Sequence, residues 1–464
     1  LRHLKFAAAA ASAIALAGVG IASTGSANAD TPLSRFQTRP GVITALARLA
    51  SAPTTAYCET NYHIACYSPN QLEEAYGLPT LYKKGVTGKG QTIVIVDSFG
   101  SPTIARDLAT FDKTFHLPAP PSLKVIQPAG KFKWQNNPTE VGWAGETTLD
   151  VEYAHAVAPG AKILLVETPT AETEGTVGFP EIVKAEQYVV NHHLGNVISQ
   201  SFSATEQTFP SKKALLALRT AYTNAARHHV TVLAATGDNG AANTMFDGKT
   251  YYTKPTTTWP PSDPLVTAVG GTQLHLNAKG DHTTRDTVWN DTYDKNTNQF
   301  IFGNPGPNAL GTGGAKSVVF ARPSWQNGVR KVVGNARGVP DISMSGACNG
   351  AVDVYQSFPG TPAGWAEVCG TSEATPLFAG IVALSDQVAH HGLGVINPAL
   401  YSMLSHHARG LVDVTSGNNT VTFTQGGKQV TVKGFNAAKG YDLASGVGTV
   451  WAPSFVPELA KYAH

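Results

Sequence analysis

Charge is scarce in this chain. Asp, Glu, Lys and Arg together make up 14% of its 464 residues, where soluble domains commonly carry about 25%. No long run of Lys or Arg occurs and the formal net charge is +2, which argues against an electrostatic footprint for nucleic acid. Few carboxylates also means few groups to neutralise in acid. Cysteine is scarcer still. There are four, Cys58, Cys66, Cys348 and Cys369, with no Cys-x-x-Cys and no clustered Cys/His spacing, so a zinc site is not indicated. Long apolar runs are missing beyond residue 22, and no later segment is expected to span a membrane. Internal repeats are absent, and so are low-complexity tracts past the N-terminal region.

What is present begins with a leader. Arg2, His3 and Lys5 form a basic start, residues 6–22 an Ala-rich apolar run, and Ala27-Asn28-Ala29 a small-x-small site before Asp30. The pattern predicts a signal peptide over 1–29 and a secreted, extracellular protein. A membrane anchor is the competing reading, for which the run is short. Leu1 reads as a literally translated alternative start codon or a slight truncation. Export permits disulfides. Proximity in the chain favours Cys58–Cys66 and Cys348–Cys369, although four cysteines allow three connectivities.

The length allows one large α/β domain with extensions, or two domains, and 42% apolar residues can fill a sizeable core. Residues 30–66 read as a short irregular extension with one short helix at 41–49. From Gln91 the character changes. QTIVIVD, KILLVE, NVISQS, VTVLAATG and LVTAVGG are short β-branched runs that read as buried strands. Helical patterns lie between several of them, at 146–156 and 211–229. The alternation predicts an α/β fold with a largely parallel sheet flanked by helices. Residues 273–312 read as polar loops with a hairpin, and the tail from Gly410 as Gly-, Asn- and Asp-rich loops.

GTSEATPLFAG, residues 370–380, presents Ser372 at the first turn of an apolar helix. A nucleophilic serine needs a base. A subtilisin-type peptidase would use an Asp after the first strand, for which Asp97 in VIVDSFG is available, and a histidine in a His-Gly-Thr context, which the sequence lacks. In its expected place stands GETTLDVEYAHAVAPG, with Glu146 and Asp150 four residues apart. On a helix the two share a face. Like charges there repel, so one carboxyl tends to keep its proton. Such a pair can replace imidazole, with Glu146 taking the serine proton and Asp150 orienting Glu146. The plain alternative is a solvated acidic helix face. Asp238, in VTVLAATGDNG, ends a predicted strand, where α/β sheets place their sites; an ordinary Asp turn before Gly is the alternative.

Taken together, these segments resemble the sedolisin family, the serine-carboxyl peptidases, from about Tyr67 to the C-terminus. YSPNQLEEAYGLP resembles the family's opening segment and GKGQTIVIVDSFGSPT its first strand. GETTLDVEYAHAVAPGA, TGDNG and GTSEATPLFAG match the segments of the acidic pair, the oxyanion Asp and the nucleophile. PPSDPLVTAVGGT, GTGGAKSVVFARPSWQ and RGVPDISM match central blocks, and all stand in the family's order. The resemblance implies a subtilisin-like fold over 67–464 and a secreted, acid-active peptidase. Ser372 would be the nucleophile, Glu146 its base, Asp150 the support of Glu146, and Asp238 a part of the oxyanion hole. It also implies one structural Ca²⁺ near the C-terminus, in GLVDVTSGNNT and NAAKGYDLASGVG. Asp413 and Asp442 would give carboxylate oxygens, and Val414, Ala438 and Gly440 backbone carbonyls.

Three departures stand out. Ala438 occupies a place where the family usually has Gly. Phe202-Ser203 replaces its aromatic–glycine pair. The stretch 30–66 is far shorter than its usual propeptide, so activity without loss of a large propeptide is expected. Expected partners are protein or peptide substrates, met by a monomer, with no nucleic acid and no membrane after signal removal. Two rival readings are a secreted binding protein on a catalytically dead peptidase fold, and a neutral subtilisin-type enzyme using Asp97 and an unrecognised His.

Overall fold

A computed structural model describes residues 48–292 and 309–463. The signal-peptide stretch 1–29, most of the 41–49 helix and part of the 273–312 loops lie outside the described residues. The centre is an eight-stranded sheet. Its strands in chain order are β1 (Thr92–Ser98), β2 (Leu123–Ile126), β3 (Lys162–Thr168), β4 (Val197–Gln200), β5 (Thr231–Ala235), β6 (Thr267–Gln273), β7 (Thr287–Val288) and β8 (Ile342–Ser345). Across the sheet they run β2-β3-β1-β4-β5-β6, with β7 and β8 both paired to β6. Every pairing is parallel except β6 with β7. The strands expected from the apolar runs are β1, β3, β4, β5 and β6. Ile93, Val94, Ile95 and Val96 are fully buried, because a parallel sheet is covered on both faces. The fold is the expected α/β type, with helices on the sheet. β2 and β8 escaped notice because they are short, and LKVI carries a Lys.

Two helices dominate one face. The acid helix, Pro138–Val157, starts eight residues before the predicted 146–156. Asn137 caps it by accepting from Thr139 N and Glu140 N, both at 3.0 Å, and Glu140 Oε2 returns a bond to Asn137 N at 3.3 Å. This capping box, with Pro138 in the first turn, defines the start. The serine helix, Thr371–Ala389, packs against it. A Cβ on Gly380 would sit 2.5 Å from Val157 Cβ, so only glycine lets the two backbones approach this closely. The predicted helix at 211–229 is two helices, Lys212–Ala217 and Thr220–Arg227.

Residues 48–66 are not irregular throughout. Thr55–Tyr62 is a helix capped by Thr54. Cys66–Tyr67 pairs in parallel with Ala351–Gln356, which forms a hairpin with Gly364–Val368. Leu49 exchanges backbone bonds with Trp365, at 3.0 and 2.8 Å. The disulfides are Cys58–Cys66 and Cys348–Cys369. In the tail, Val421–Gln425 and Lys428–Val432 form a hairpin around Gly426-Gly427, both at positive φ, as a tight two-residue turn requires. A last helix, Ala452–Tyr462, closes against the serine helix. Both the tail hairpin and this helix lie where the sequence suggested only loops.

Candidate active site

The site forms at the C-terminal ends of the central strands. Asp97 lies near the end of β1, Ser201 directly follows β4, and Asp238 lies three residues past β5. Chain order reverses around β1, and such a switch point leaves a crevice. Ser372 arrives from the opposite direction. The strand Gly364–Val368 leads into Cys369, whose disulfide to Cys348 anchors the approach, and Gly370 N donates to Gly346 O at 2.9 Å.

Glu146 and Asp150 are 1% and 0% exposed. The solvated-face alternative is therefore wrong: the acid helix is covered on all sides from Trp143 to Val157. Burial drives both carboxyls well above the usual carboxylate range, and the buried carboxyl of Asp97 adds to the rise in each. Asp97 itself is pushed up to about 7, chiefly by burial. For Glu146, the Ser372 and Ser201 hydroxyls oppose the rise, although neither bonds to it in standard geometry. Ser201 Oγ donates to Asp150 Oδ1 at 2.8 Å and lies 3.3 Å from Ser372 O. With one hydrogen, it serves these two acceptors in turn.

Asp238 reaches the same place from β5. Its Oδ1 accepts from Thr371 N and Thr371 Oγ1, both at 2.8 Å, so it caps the serine helix from outside. A Cβ on Gly370 would stand 2.8 Å from Asp238 Oδ2, and Gly370 has φ of 134°. Glycine is needed there on both counts. Ser372 is 4% exposed. The structure thus brings Ser372, Glu146, Asp150 and Asp238 together, and adds Asp97 and Ser201. The sequence offered Asp97 only for a histidine mechanism. Ser201 was signalled only by a polar residue just past an apolar strand.

No histidine completes a subtilisin-type set among the described residues. His155, on the acid helix, lies 2.8 Å from Pro118 O and 3.3 Å from Asp112. His192, His193, His390 and His391 are exposed.

Asp413 and Asp442 face one loop elsewhere in the fold. Gly440 N donates to Asp413 Oδ2 at 3.0 Å, and Ala438 N to Asp442 Oδ2 at 2.9 Å. Asp413 Oδ1 is buried without a hydrogen-bond partner. Gly440 has φ of 81°, whereas Ala438 is not among the positive-φ residues. The Ala-for-Gly departure therefore strains nothing. Among the described residues, no group of three or more His, Cys, Asp or Glu side chains is set to hold a metal.

Residues 136–429 match the subtilase family. Kumamolisin of Bacillus sp. (strain MN-32) is 30% identical over 389 residues, covering 82% of this chain and 62% of kumamolisin. Sedolisin of Pseudomonas sp. (strain 101) is 29% identical over 391 residues, covering 83% and 60%. The human protein named tripeptidyl-peptidase 1 is 29% identical over 336 residues, covering 69% and 52%. The chain thus spans about six tenths of the length of the first two relatives. A structure of Pseudomonas sedolisin, a serine-carboxyl proteinase complexed with two molecules of pseudo-iodotyrostatin, superposes with a TM-score of 0.69. It has 24% identity and covers 86% of this chain and all of that one. The chain belongs to the subtilase family, and to the sedolisins among its members. The fold is accordingly subtilisin-like.

Proposed function

We propose that this chain is a secreted serine-carboxyl peptidase that works in acid. The observation that carries the reading is the convergence, in a buried crevice, of Ser372, the acid-helix pair Glu146 and Asp150, Asp238 after β5 and Asp97 of β1, with no histidine beside them among the described residues. Ser372 Oγ attacks the scissile carbonyl as Glu146 takes its proton, a step open to the form in which the Glu146–Asp150 pair has already lost a proton. The C–N bond then breaks, the proton passes to the leaving amine, and an acyl-enzyme remains for water to hydrolyse. Asp150, held by Ser201, supports Glu146. Asp238 assists the oxyanion only when protonated, since an ionised carboxylate cannot donate a hydrogen bond. Its Oδ1 accepts from Thr371 N and Oγ1, which fixes the carboxyl beside the first turn of the serine helix.

One calcium ion is part of the proposal. Two carboxylates about one loop and an unpartnered buried Asp413 oxygen support it, and the carbonyls of Val414, Ala438 and Gly440 would complete a set of hard oxygen ligands. When bound, the ion would supply structural stability rather than chemistry. Two disulfides support export. No helix among the described residues is long and apolar enough to cross a membrane. The reading is of a monomer that cleaves internal bonds.

The test is digestion of a denatured protein across pH 2 to 8, with products identified by mass spectrometry. An acidic optimum, with Ser372 acylated by an active-site reagent, is expected. Fragments cut internally would separate this reading from release of tripeptides. A folded protein that neither cleaves nor acylates would instead be a binding protein.

A further inference from the structure

Glu373 follows the nucleophile directly and is fully buried, yet neither of its carboxyl oxygens has a hydrogen-bond partner. It is the third residue of the serine helix. A glutamate at that position commonly reaches back to bond the amide that opens the helix. Here that amide, Gly370 N, is taken by Gly346 O, and Asp238 caps the helix from outside. Glu373 is thus released from capping and buried in the core. The groups that face it are Tyr76, at the end of the helix Pro69–Ala75, Tyr153 of the acid helix, and Ser345 at the end of β8. No cation pairs with it among the described residues.

We propose that Glu373 is a positioning residue and a proton-operated lock: its neutral carboxyl lets the first turn of the serine helix seat Ser372, and loss of that proton unseats it. The physical reason is local. An ionised carboxylate needs several donors or a cation, and this pocket offers the Ser345 hydroxyl and the Tyr76 phenol, the Tyr153 hydrogen being spent on Asp353 O at 2.9 Å. The positive end of the helix favours the charge only modestly. Burial wins and holds the group well above the usual carboxylate range. When the proton leaves, the charge must find water. Glu373 sits in the same first turn as Thr371 and Ser372, so its movement toward water displaces that turn. The inference rests on Ser372 being the nucleophile, and it gives that site a device separate from Asp238.

Glu373→Gln keeps the shape and removes the titration. Melting temperature and kcat/KM are measured for variant and parent from pH 4 to pH 7.5. The difference in melting temperature should be small at pH 4 and widen in the variant's favour toward pH 7. Relative to its own value at pH 4, the variant should keep at least about tenfold more activity at pH 7, equivalent to about one pKa unit. Glu373→Met, similar in volume and apolar, should behave alike and serves if the amide does not fold. Superimposable pH dependences would overturn the proposal. So would a widening thermal gap with an unmoved activity limb, or a folded Gln variant that is inert at pH 4. The melting measurement needs no catalysis, so failure of the peptidase reading would be seen separately.

Discussion

Pro376 stands four residues after Ser372 inside the same helix, so the Ser372 carbonyl lacks the amide that an α-helix normally supplies from four residues on. Ser201 Oγ lies 3.3 Å from that carbonyl and bonds Asp150 at 2.8 Å. A missing helical bond thus becomes a link between the nucleophile's backbone and the carboxyl pair. Ser201→Ala removes the one hydrogen these two buried acceptors share, which costs about 1 to 3 kcal/mol. We expect lower kcat with little change in KM, and normal circular dichroism. Unchanged kcat would mean the link is only structural.

Glu146→Gln keeps shape but removes the base. General-base catalysis is worth roughly 10²- to 10⁴-fold, and a loss of that order is expected with the fold intact. Asp150→Asn and Ser372→Ala should be comparably damaged, because residues acting as a unit do not add. Steady-state kinetics with thermal melts decides. An active Glu146→Gln protein would remove the assignment.

Asp238→Ala should cost roughly 2.7 to 4 kcal/mol of transition-state stabilisation. Asp238→Asn keeps an amide donor that needs no proton, so it should retain more activity and extend it toward higher pH. Equal losses in both, with identical pH limbs, would reduce Asp238 to a helix cap.

Folding stability should fall as pH rises toward neutrality. Burial pushes Glu73 and Glu174 up to about 7 from 4.5, and raises Glu186, Asp353 and Asp386 well above their usual range. These acids hold more protons folded than unfolded. The contribution of Glu73 and Glu174 is fully present below about pH 4.5 and is lost as pH climbs through about 7, and the other three act with the same sign. Melts at pH 4.5 and 7.5 should show the higher midpoint in acid, and Glu174→Gln should reduce the difference. A higher midpoint at pH 7.5 would contradict the sign.

Calcium works in the other direction. Added Ca²⁺ should raise the melting temperature, since a ligand bound only by the folded state stabilises it, and Asp413→Ala should abolish the rise. The effect should weaken in strong acid as protons compete for the Asp ligands. A calcium-insensitive melt at pH 6 would exclude the site.

The sequence by itself determined much of this protein. Apolar runs such as TIVIV name buried parallel strands because only a doubly covered sheet hides them on both faces. The spacing of Glu146 and Asp150 fixed them to one helical face, and close cysteine pairs matched the disulfides. Other features depended on contacts that no local pattern encodes. The acidic pair could have been a solvated surface, and only packing against the sheet and serine helix showed both carboxyls in the dark. Asp97, Ser201 and Asp238 come from three strands that are adjacent only through the sheet's pairing order. Glu373 reads as an ordinary helix-starting glutamate until Gly346 and Asp238 are seen doing the capping in its place. Periodicity reports which face of an element is apolar. Which buried acid meets which donor depends on long-range packing, and with it how tightly each proton is held.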